Sequence, residues 1–368
     1  MKPVVMTLGD VCTKGSSNLA QKDLDGNSGE YEIYGASGLI KKVNFFHQEK
    51  PYISVVKDGA GVGRTMLLPA RTSVIGTMQY IIPNENIDIE YLYYAITYMD
   101  LSRYYMGAAI PHIYFKDYCK EKILVPDIDI QKAIAHKFRI IDGLITARQE
   151  QLAKLGELIA SRFIEMFGRI QDNKKGYSIV TIGDVCSLIK DGTHQTPEYT
   201  EDVKNGYKFL SSKDVMSQKI DWSNIKYISA SLHERLYSSL KPQRNDILMS
   251  KNGVNYGVAA INDSDEIFDI YVSLALLRPS KSIHPVYLRC VINSADTKNQ
   301  FDSSIKGIGV PNLHLGEIKN TKILLPPIDL QNQFAEFVKQ TDKSKLAVQK
   351  SLGQLETLKK SLMQKYFG

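Results

Sequence analysis

The sequence predicts an α+β fold in which two tandem globular heads are separated by two long antiparallel coiled-coil helices, with pseudo-two-fold symmetry. The first observation behind this prediction is an internal repeat. Residues 7–12 (Thr-Leu-Gly-Asp-Val-Cys) return as residues 181–186 (Thr-Ile-Gly-Asp-Val-Cys), and residues 122–126 return with one change as residues 322–326. The offset grows from 174 to 200 and then stays constant to the last residue. This pattern indicates a duplicated unit whose second copy carries insertions in its first part.

Each copy begins with a long segment that has both strand and helix character. In the first copy, residues 51–56 and 73–82 are β-branched and aromatic stretches bounded by glycine or proline, which is typical of strands. Asp88 is placed to cap the helix that follows it. The second copy has corresponding features, namely strand-like residues 246–249 and 271–277 and a helix opened by Pro285. Both heads are therefore predicted to be α+β.

The second observation is that each copy ends in a long segment with an apolar stripe and no proline. Asp129 and Asp329 are placed to cap these segments, and their apolar residues recur at spacings of three, four and multiples of seven, which predicts coiled-coil helices. Only antiparallel pairing lets the second helix bury its stripe against the first. Arg148, Thr341 and Lys345 interrupt the stripes. The residues predicted to pair the helices are Ile134, Phe138, Ile141, Ile145, Leu152, Leu155, Ile159, Phe334, Val338, Val348, Leu352, Leu355 and Leu362.

These features divide the chain into five predicted segments. They are a first head (1–125), a central helical spacer (126–170), a polar linker (171–176), a second head (177–325) and a C-terminal helical spacer (326–368).

Composition indicates a soluble protein that favours polyanions mildly. Hydrophobic residues make up 43% of the 368 residues and charged residues 23%, while the net charge is +6. The first residues contain no apolar run of signal-peptide length, and no stretch has the ~20 apolar residues that span a bilayer, so we expect a cytoplasmic protein without a membrane partner. The four cysteines have no metal-ligand spacing and are interpreted as small buried residues.

The motifs of enzyme chemistry are missing from the sequence. Residues 59–65 (Gly-Ala-Gly-Val-Gly-Arg-Thr) lack both the spacing and the lysine of a nucleotide-binding loop, so we interpret them as a tight turn between strands. The seven histidines form no metal-ligand pattern, and there is no serine nucleophile elbow. We therefore expect a non-catalytic chain without a cofactor or metal of its own.

Polar and basic side chains in the turns of both heads suit contacts with phosphates and base edges. As a set on two heads, they suggest a reader of two half-sites on DNA. The candidate DNA-binding residues are Lys41, Lys42, Lys57, Arg64, His112 and Lys116 in the first head, and Lys190, His194, Gln195, Lys213, Lys251, Asn252, Asn312 and His314 in the second. Further members of the set are His47, Arg71, Arg103 and Lys306, with Tyr34, Tyr114, Tyr199 and Tyr256 as polar aromatic side chains.

Over essentially its whole length, the chain resembles the specificity (HsdS-type) subunit of a type I restriction–modification enzyme. The resemblance rests on segments that occur in the same order in both copies. They are residues 57–63 with 251–257, residues 122–131 with 322–331, and the helix ends Phe167-Gly168 and Phe367-Gly368. Residues 31–38 and 191–197 resemble two different subtypes of target-recognition domain.

The resemblance implies that each head is a target-recognition domain for one half of a bipartite, gapped double-stranded DNA sequence. The paired helices would set the gap and dock two DNA methyltransferase subunits, which bind S-adenosylmethionine and methylate adenine. Two restriction subunits would add ATP- and Mg-dependent translocation and cleavage, unless the chain serves a complex that only methylates. The alternative hypothesis is a coiled-coil adaptor that binds protein without recognising a DNA sequence.

Overall fold

The computed structural model describes residues 3–107, 111–305 and 311–368, and Lys306 of the predicted recognition set lies outside them. The chain forms two compact units. Unit 1 contains residues 1–151 and 348–368, and unit 2 contains residues 152–347. Each unit therefore combines one head with segments of both long helices. Among the helices of the described ranges, none has both the length and the apolar character needed to cross a membrane.

The described strands correspond one to one in the two copies, whereas several of the shorter helices differ. The strands are β1 (Val4–Thr7), β2 (Cys12–Ser16), β3 (Tyr31–Gly35), β4 (Gly38–Val43), β5 (Tyr52–Val56), β6 (Thr65–Leu68), β7 (Ser73–Val74), β8 (Met78–Pro83), β9 (Lys122–Val125), β10 (Ser178–Thr181), β11 (Cys186–Asp191), β12 (Tyr207–Leu210), β13 (Lys226–Ile228), β14 (Ile247–Ser250), β15 (Ala259–Ile261), β16 (Phe268–Ile270), β17 (Leu274–Pro279) and β18 (Lys322–Leu325). The helices are α1 (Leu8–Val11), α2 (Ile89–Tyr98), α3 (Phe115–Tyr118), α4 (Ile128–Phe167), α5 (Ala230–Ser239), α6 (Pro285–Ile292), α7 (Ala295–Ser304), α8 (Leu315–Asn320) and α9 (Ile328–Phe367). Short 3₁₀ turns occur at Gln21–Leu24, Leu101–Tyr104, Gly183–Val185 and Ser212–Val215.

The same sheet scaffold is built twice. Unit 1 has a four-stranded antiparallel sheet in the order β2-β8-β5-β6, and unit 2 has the corresponding order β11-β17-β14-β15. A two-stranded ribbon, β1 with β9 or β10 with β18, lies at the junction of each head with its helix and has matching register in the two units. The smaller sheets, β4-β3-β7 of unit 1 and β13-β12-β16 of unit 2, also share one topology, in which the middle strand pairs antiparallel with one neighbour and parallel with the other. The heads differ in the segments between these strands, since α5 lies between β13 and β14 and no helix lies in the described residues between the corresponding β4 and β5.

The repeated Thr-x-Gly-Asp-Val-Cys motif forms the turn that connects the ribbon to the large sheet. The Asp10 carboxylate accepts hydrogen bonds from the Thr7 backbone N–H (2.9 Å) and hydroxyl (2.6 Å). Asp184 makes the same pair of contacts with Thr181, and both donor–acceptor distances are 2.8 Å. These hydrogen bonds lower the pKa of both exposed carboxyl groups. The motif is therefore structural, and it directs the apolar residues beside it into the core.

Each head has its own apolar core under the large sheet. In unit 1 the core includes Ile53, Val55 and Ile81 from the sheet, with Leu92 and Ile96 from α2, all buried. In unit 2 the corresponding residues are Ile247, Met249 and Leu277 with Leu288 and Ile292. Burial also raises the pKa of the Cys12 and Cys186 thiols to about 12, so both stay protonated at neutral pH.

The two 40-residue helices run antiparallel, as contacts within each unit show. In unit 1, Phe138 near the start of α4 stacks on Phe367 at the end of α9, with ring centres 5.8 Å apart. In unit 2, Phe167 at the end of α4 packs against Phe334 near the start of α9, at 5.3 Å. The beginning of each helix thus meets the end of the other. The predicted fold class, α+β heads with two long antiparallel helices, is confirmed.

Among the thirteen residues predicted to pair the helices, six are buried and the others are half-buried. The buried ones are Ile134, Phe138, Ile141, Phe334, Val338 and Val348, and the half-buried ones are Ile145, Leu152, Leu155, Ile159, Leu352, Leu355 and Leu362. Thr341, which interrupts the stripe in the sequence, is also buried, and its hydroxyl donates to the Phe337 carbonyl over 3.0 Å. This internal bond satisfies the buried hydroxyl.

The sequence-based boundaries were wrong in three places. Residues 271–277 are not one strand, because Val272 and Ser273 form a turn and β17 begins at Leu274. Asp129 and Asp329 do not cap the long helices, because each helix begins one residue earlier and these carboxylates lie in its first turn. There they still face the positive end of the helix dipole. Residues 73–82 are not one strand, since the chain turns at Ile75-Gly76-Thr77 and passes from the small sheet (β7) to the large sheet (β8).

Candidate nucleic-acid interfaces

In each head, two loops that are distant in sequence are hydrogen-bonded together, and we call them the loop pair. In unit 1 it consists of residues 57–64, which join β5 to β6, and residues 111–114. The Gly59 N–H donates to the Pro111 carbonyl (2.9 Å), and the Ile113 N–H donates to the Lys57 carbonyl (2.9 Å). The expected turn between two strands is confirmed. The pairing of this turn with residues 111–114 was not predicted.

Unit 2 has the same arrangement, formed by residues 251–258 and 311–314. The Gly253 N–H donates to the Pro311 carbonyl over 3.1 Å, and the Leu313 N–H donates to the Lys251 carbonyl over 2.8 Å. The loop pair is therefore a duplicated feature, and it brings Asp58 together with His112, and Asn252 together with Asn312.

Glycine is required where the loop pair packs closely on the rest of its head. Gly63 has φ +86°, and a Cβ at this position would lie 2.4 Å from the Ser102 backbone nitrogen. Gly257 has φ +84°, and a Cβ there would lie 2.9 Å from the Phe301 ring. Both the positive φ and the close approach exclude larger residues. These glycines therefore allow the loop pair to pack closely against the rest of its head.

In unit 1 the loop pair presents a mixed basic and aromatic surface. The His112 ring nitrogen Nδ1 is in close contact with the Asp58 carboxylate, and the Lys57 amine lies 3.9 Å from the same group. Tyr114 packs edge-on against His112 at 4.2 Å, and the Lys116 amine lies 5.2 Å from the Tyr114 ring centre. Tyr114 and Lys116 are exposed. Hydroxyl, imidazole and amine donors at one surface suit contacts with nucleic acid.

In unit 2 a carboxylate gathers several predicted residues. Asp191 lies 2.6 Å from the amine of Lys251 and 3.6 Å from Nε2 of His194. Lys251 is 5% exposed, so its amine reaches a ligand only if this ion pair opens. A cavity of about 300 Å³ lies beside the group and is lined by Lys190, His194 and Asp269 among others. Asn312 and His314 are exposed on the neighbouring loop.

The remaining predicted residues lie outside the loop pairs, except Arg64 at the end of the first loop, and most of them contact other residues of their own head. Lys41 donates to the Leu24 carbonyl (2.8 Å), Lys42 pairs with Glu32 (3.3 Å), and Arg64 donates to the Ala36 carbonyl (2.9 Å). Lys190 donates to the Ser239 carbonyl (2.8 Å), and Lys213 lies 3.7 Å from Asp214. Gln195 is exposed. The structure therefore distributes the predicted set over several surfaces of each head.

Sequence reasoning missed the acidic residues that organise these surfaces. Asp58 and Asp191 lie 54 and 60 positions from the basic residues His112 and Lys251 that they contact. Only the repeat itself offered a signal, since both basic residues fall in segments that recur. A third carboxylate, Glu32, accepts from the Tyr34 hydroxyl (2.5 Å), and burial together with this bond raises the pKa of Tyr34 to about 12. Tyr34 is therefore a neutral phenol at physiological pH.

The long helices leave large apolar side chains exposed. They are Ile128, Ile130, Ile140, Leu144, Leu158 and Ile164 of α4, with Ile328, Leu346 and Leu358 of α9. Their exposed fractions range from 38% to 68%. Within the described ranges, no group of three or more His, Cys, Asp or Glu side chains is arranged to hold a metal ion.

Comparisons with known proteins agree with the duplicated architecture. The family model of the type I restriction modification DNA specificity domain matches residues 2–156 and 174–359. The chain is 23% identical to the type I restriction enzyme MjaVIII specificity subunit of Methanocaldococcus jannaschii, over 84% of this chain and 77% of that protein. It is 24% identical to the EcoBI specificity subunit of Escherichia coli, over 45% and 36%.

Solved structures show the same fold. The S subunit of a type I restriction–modification system from M. genitalium aligns with a TM-score of 0.63 and 16% identity, over 100% of this chain and 96% of that chain. A chain from a structural study of type I complex assembly and conformational transition aligns with a TM-score of 0.59 and 17% identity, over 100% and 97%. With two matching domains on one duplicated scaffold, this chain belongs to the family of type I restriction–modification specificity subunits, which recognise DNA sequences.

Proposed function

We propose that the two heads each recognise one half of a bipartite, gapped target on double-stranded DNA. The observation that carries this proposal is the contrast between the repeated and the divergent parts of the two units. The large sheets, the small sheets, the ribbons and the loop pairs correspond, whereas the segments between the strands differ, since unit 2 has the helix α5 between β13 and β14 and unit 1 has no helix in the described residues between β4 and β5. A common scaffold with different surface elements suits two recognition domains that bind DNA in a similar geometry but prefer different base sequences.

The long helices are proposed to set the gap between the half-sites and to dock two DNA methyltransferase subunits. The exposed apolar side chains of α4 and α9 support this, because apolar residues at the surface of a helix favour association with another protein. S-adenosylmethionine would bind to the methyltransferase subunits, and ATP with Mg to two restriction subunits where the complex contains them. This chain would supply recognition and positioning to the assembly, without catalysis.

A head exchange tests the assignment of half-sites. Residues 1–125 are replaced by the corresponding head of another specificity subunit, and the methylated sequences are read by methylome sequencing in a host with the matching methyltransferase. We expect one half of the target to change and the other half to stay the same. The matched control exchanges residues 177–325 and should change the opposite half. A change in both halves from either exchange would contradict independent recognition.

A helix deletion tests the role of the spacer. Removal of one heptad from the middle of each helix, residues 145–151 and 345–351, shortens each by about 10 Å, or about three base pairs of DNA. We expect a shorter gap, or loss of assembly, with both half-sequences unchanged. Altered half-sequences, or salt-sensitive binding without any sequence preference, would contradict the proposal.

A further inference from the structure

Arg71 of unit 1 has a backbone conformation that arginine rarely adopts. It lies in the turn between β6 and β7 with φ +59°, and its N–H donates to the Gln48 carbonyl over 2.8 Å. The left-handed region places Cβ close to the backbone, so glycine would be favoured at this position. Because this backbone conformation is unfavourable and the residue is exposed, we infer that the side chain has a functional role.

The Arg71 side chain is held by two aromatic rings at the edge of the small sheet. Its guanidinium carbon lies 4.8 Å from the ring centre of Tyr31 and 5.3 Å from that of Phe46. The two rings pack edge-on with their centres 4.8 Å apart. A guanidinium N–H also donates to the Tyr31 hydroxyl. These contacts fix the direction of the guanidinium before any ligand binds, which lowers the entropy lost on binding.

The charge of this guanidinium has no counter-ion in the part of the chain that the structure describes. Several other arginines form ion pairs, including Arg103 with Glu121 (2.7 Å), Arg139 with Glu90 (3.1 Å) and Arg278 with Asp246 (2.8 Å). Arg71 instead rests on aromatic rings, which leave the remaining N–H groups available to a ligand. The side chain is exposed and positively charged.

We propose that Arg71 is a specificity-determining residue that reads the edge of a guanine in the half-site recognised by unit 1. This inference rests on the proposed function. Guanine presents two acceptors, O6 and N7, that match the fork of a guanidinium. A contact with both acceptors demands a fixed direction, because O6 and N7 lie side by side in the plane of the base. The oxygens of a phosphate accept donors from many directions, so a phosphate contact does not require the guanidinium to be fixed in advance. The two rings and the strained turn provide the fixed direction.

The test compares Arg71→Gly and Arg71→Lys with the unmodified chain, each in complex with the methyltransferase subunits. DNA binding is measured on the target sequence that methylome sequencing identifies. It is also measured on a series of targets in which each base pair of the first half-site is replaced in turn. We expect Arg71→Gly to fold, because glycine relieves the backbone, and to weaken binding to the intact target about 10- to 100-fold. Discrimination should disappear at one guanine position only. Arg71→Lys should lose the same discrimination.

The matched control is Gln218→Gly. Gln218 also has φ +59° and is exposed, but it lies in unit 2. We expect this variant to leave the first half-site unchanged. Equal weakening on all sequences, with recovery in Arg71→Lys and a lower salt dependence in Arg71→Gly, would assign the contact to a phosphate and overturn the proposal. Unchanged binding by both Arg71 variants would also overturn it. If the unmodified complex itself lacked a bipartite target, the proposed function would fail instead.

Discussion

The Gln131 side chain accepts a hydrogen bond from the Asp88 backbone N–H over 2.9 Å, and so joins the first turn of α4 to the cap of α2. Its amide also donates to the Pro126 carbonyl over 2.8 Å. Gln331 makes the corresponding contacts in unit 2, with the His284 N–H and the Pro326 carbonyl, and both distances are 2.8 Å. Both glutamines are at most 1% exposed. A buried amide thus fixes the base of each long helix to its own head.

Replacement of Gln131 by leucine should destabilise unit 1 by about 2–4 kcal/mol, because the Asp88 N–H and the Pro126 carbonyl lose their buried partner. Hydrogen exchange of the α2 amides measures the effect. Lys132→Ala, an exposed change in the same turn, is the control and should have little influence. If Gln131→Leu lowered the free energy of unfolding by less than about 0.5 kcal/mol, water would have to supply the hydrogen bonds of the lost amide, which would contradict the prediction.

The aromatic residue at the helix contact lies one turn apart in the two units. Unit 1 has Ile134 and Phe138, whereas the corresponding positions of unit 2 hold Phe334 and Val338. Phe138→Ala should cost about 3–5 kcal/mol of unfolding free energy in unit 1. The double exchange Ile134→Phe with Phe138→Val moves the ring by one turn and nearly conserves volume, so it should cost less. Urea unfolding checks both, with the exposed Leu346→Ala as control.

Asp142 links three elements of unit 1. Its carboxylate accepts from the Tyr94 hydroxyl (2.9 Å) and lies 2.5 Å from the Lys359 amine. Asp142→Asn should lower stability by about 1 kcal/mol, since both charged groups are about one-third exposed and water screens the pair. Asp342→Asn is the matched control, because the nearest amine, that of Lys219, lies 3.9 Å away. The difference in melting temperature should shrink at high salt, and an equal effect of both variants would contradict the prediction.

The stability of unit 2 should fall as the pH falls below about 6.5. His284 caps α6 through Nδ1, which accepts from the Val286 N–H over 3.1 Å, and burial lowers the pKa of this imidazole below its usual 6.5. The unfolded chain therefore binds a proton that the folded chain resists, and stability is lost between pH 6.5 and the lower folded pKa. His284→Asn, which can still cap the helix, should reduce the difference in melting temperature between about pH 7.5 and 5.5. The corresponding cap in unit 1 is Asp88 and not a histidine, so the α2 amides provide an internal control. A pH dependence that is the same in His284→Asn as in the unmodified chain would contradict the assignment.

Features that depend on neighbours along the chain were accessible from the sequence. The Asp88 cap, the helix that Pro285 opens and both long helices follow from local side-chain chemistry and from periodicity. The single strand predicted at residues 73–82 failed because its composition is strand-like throughout, and only pairing with two different sheets reveals the turn at Gly76. Local propensity carries no information about which partner a strand selects.

The sequence by itself determined the duplication, the α+β heads and the antiparallel direction of the helices, because a repeat and an apolar stripe leave few ways to bury the same residues twice. Tertiary structure alone decided which polar groups meet. The pairing of Asp58 with His112, the burial of Lys251 against Asp191 and the aromatic support of Arg71 all join residues 25 or more positions apart. Such contacts depend on how the loops close over the sheets, and loop closure is governed by packing and chain entropy that no local pattern encodes.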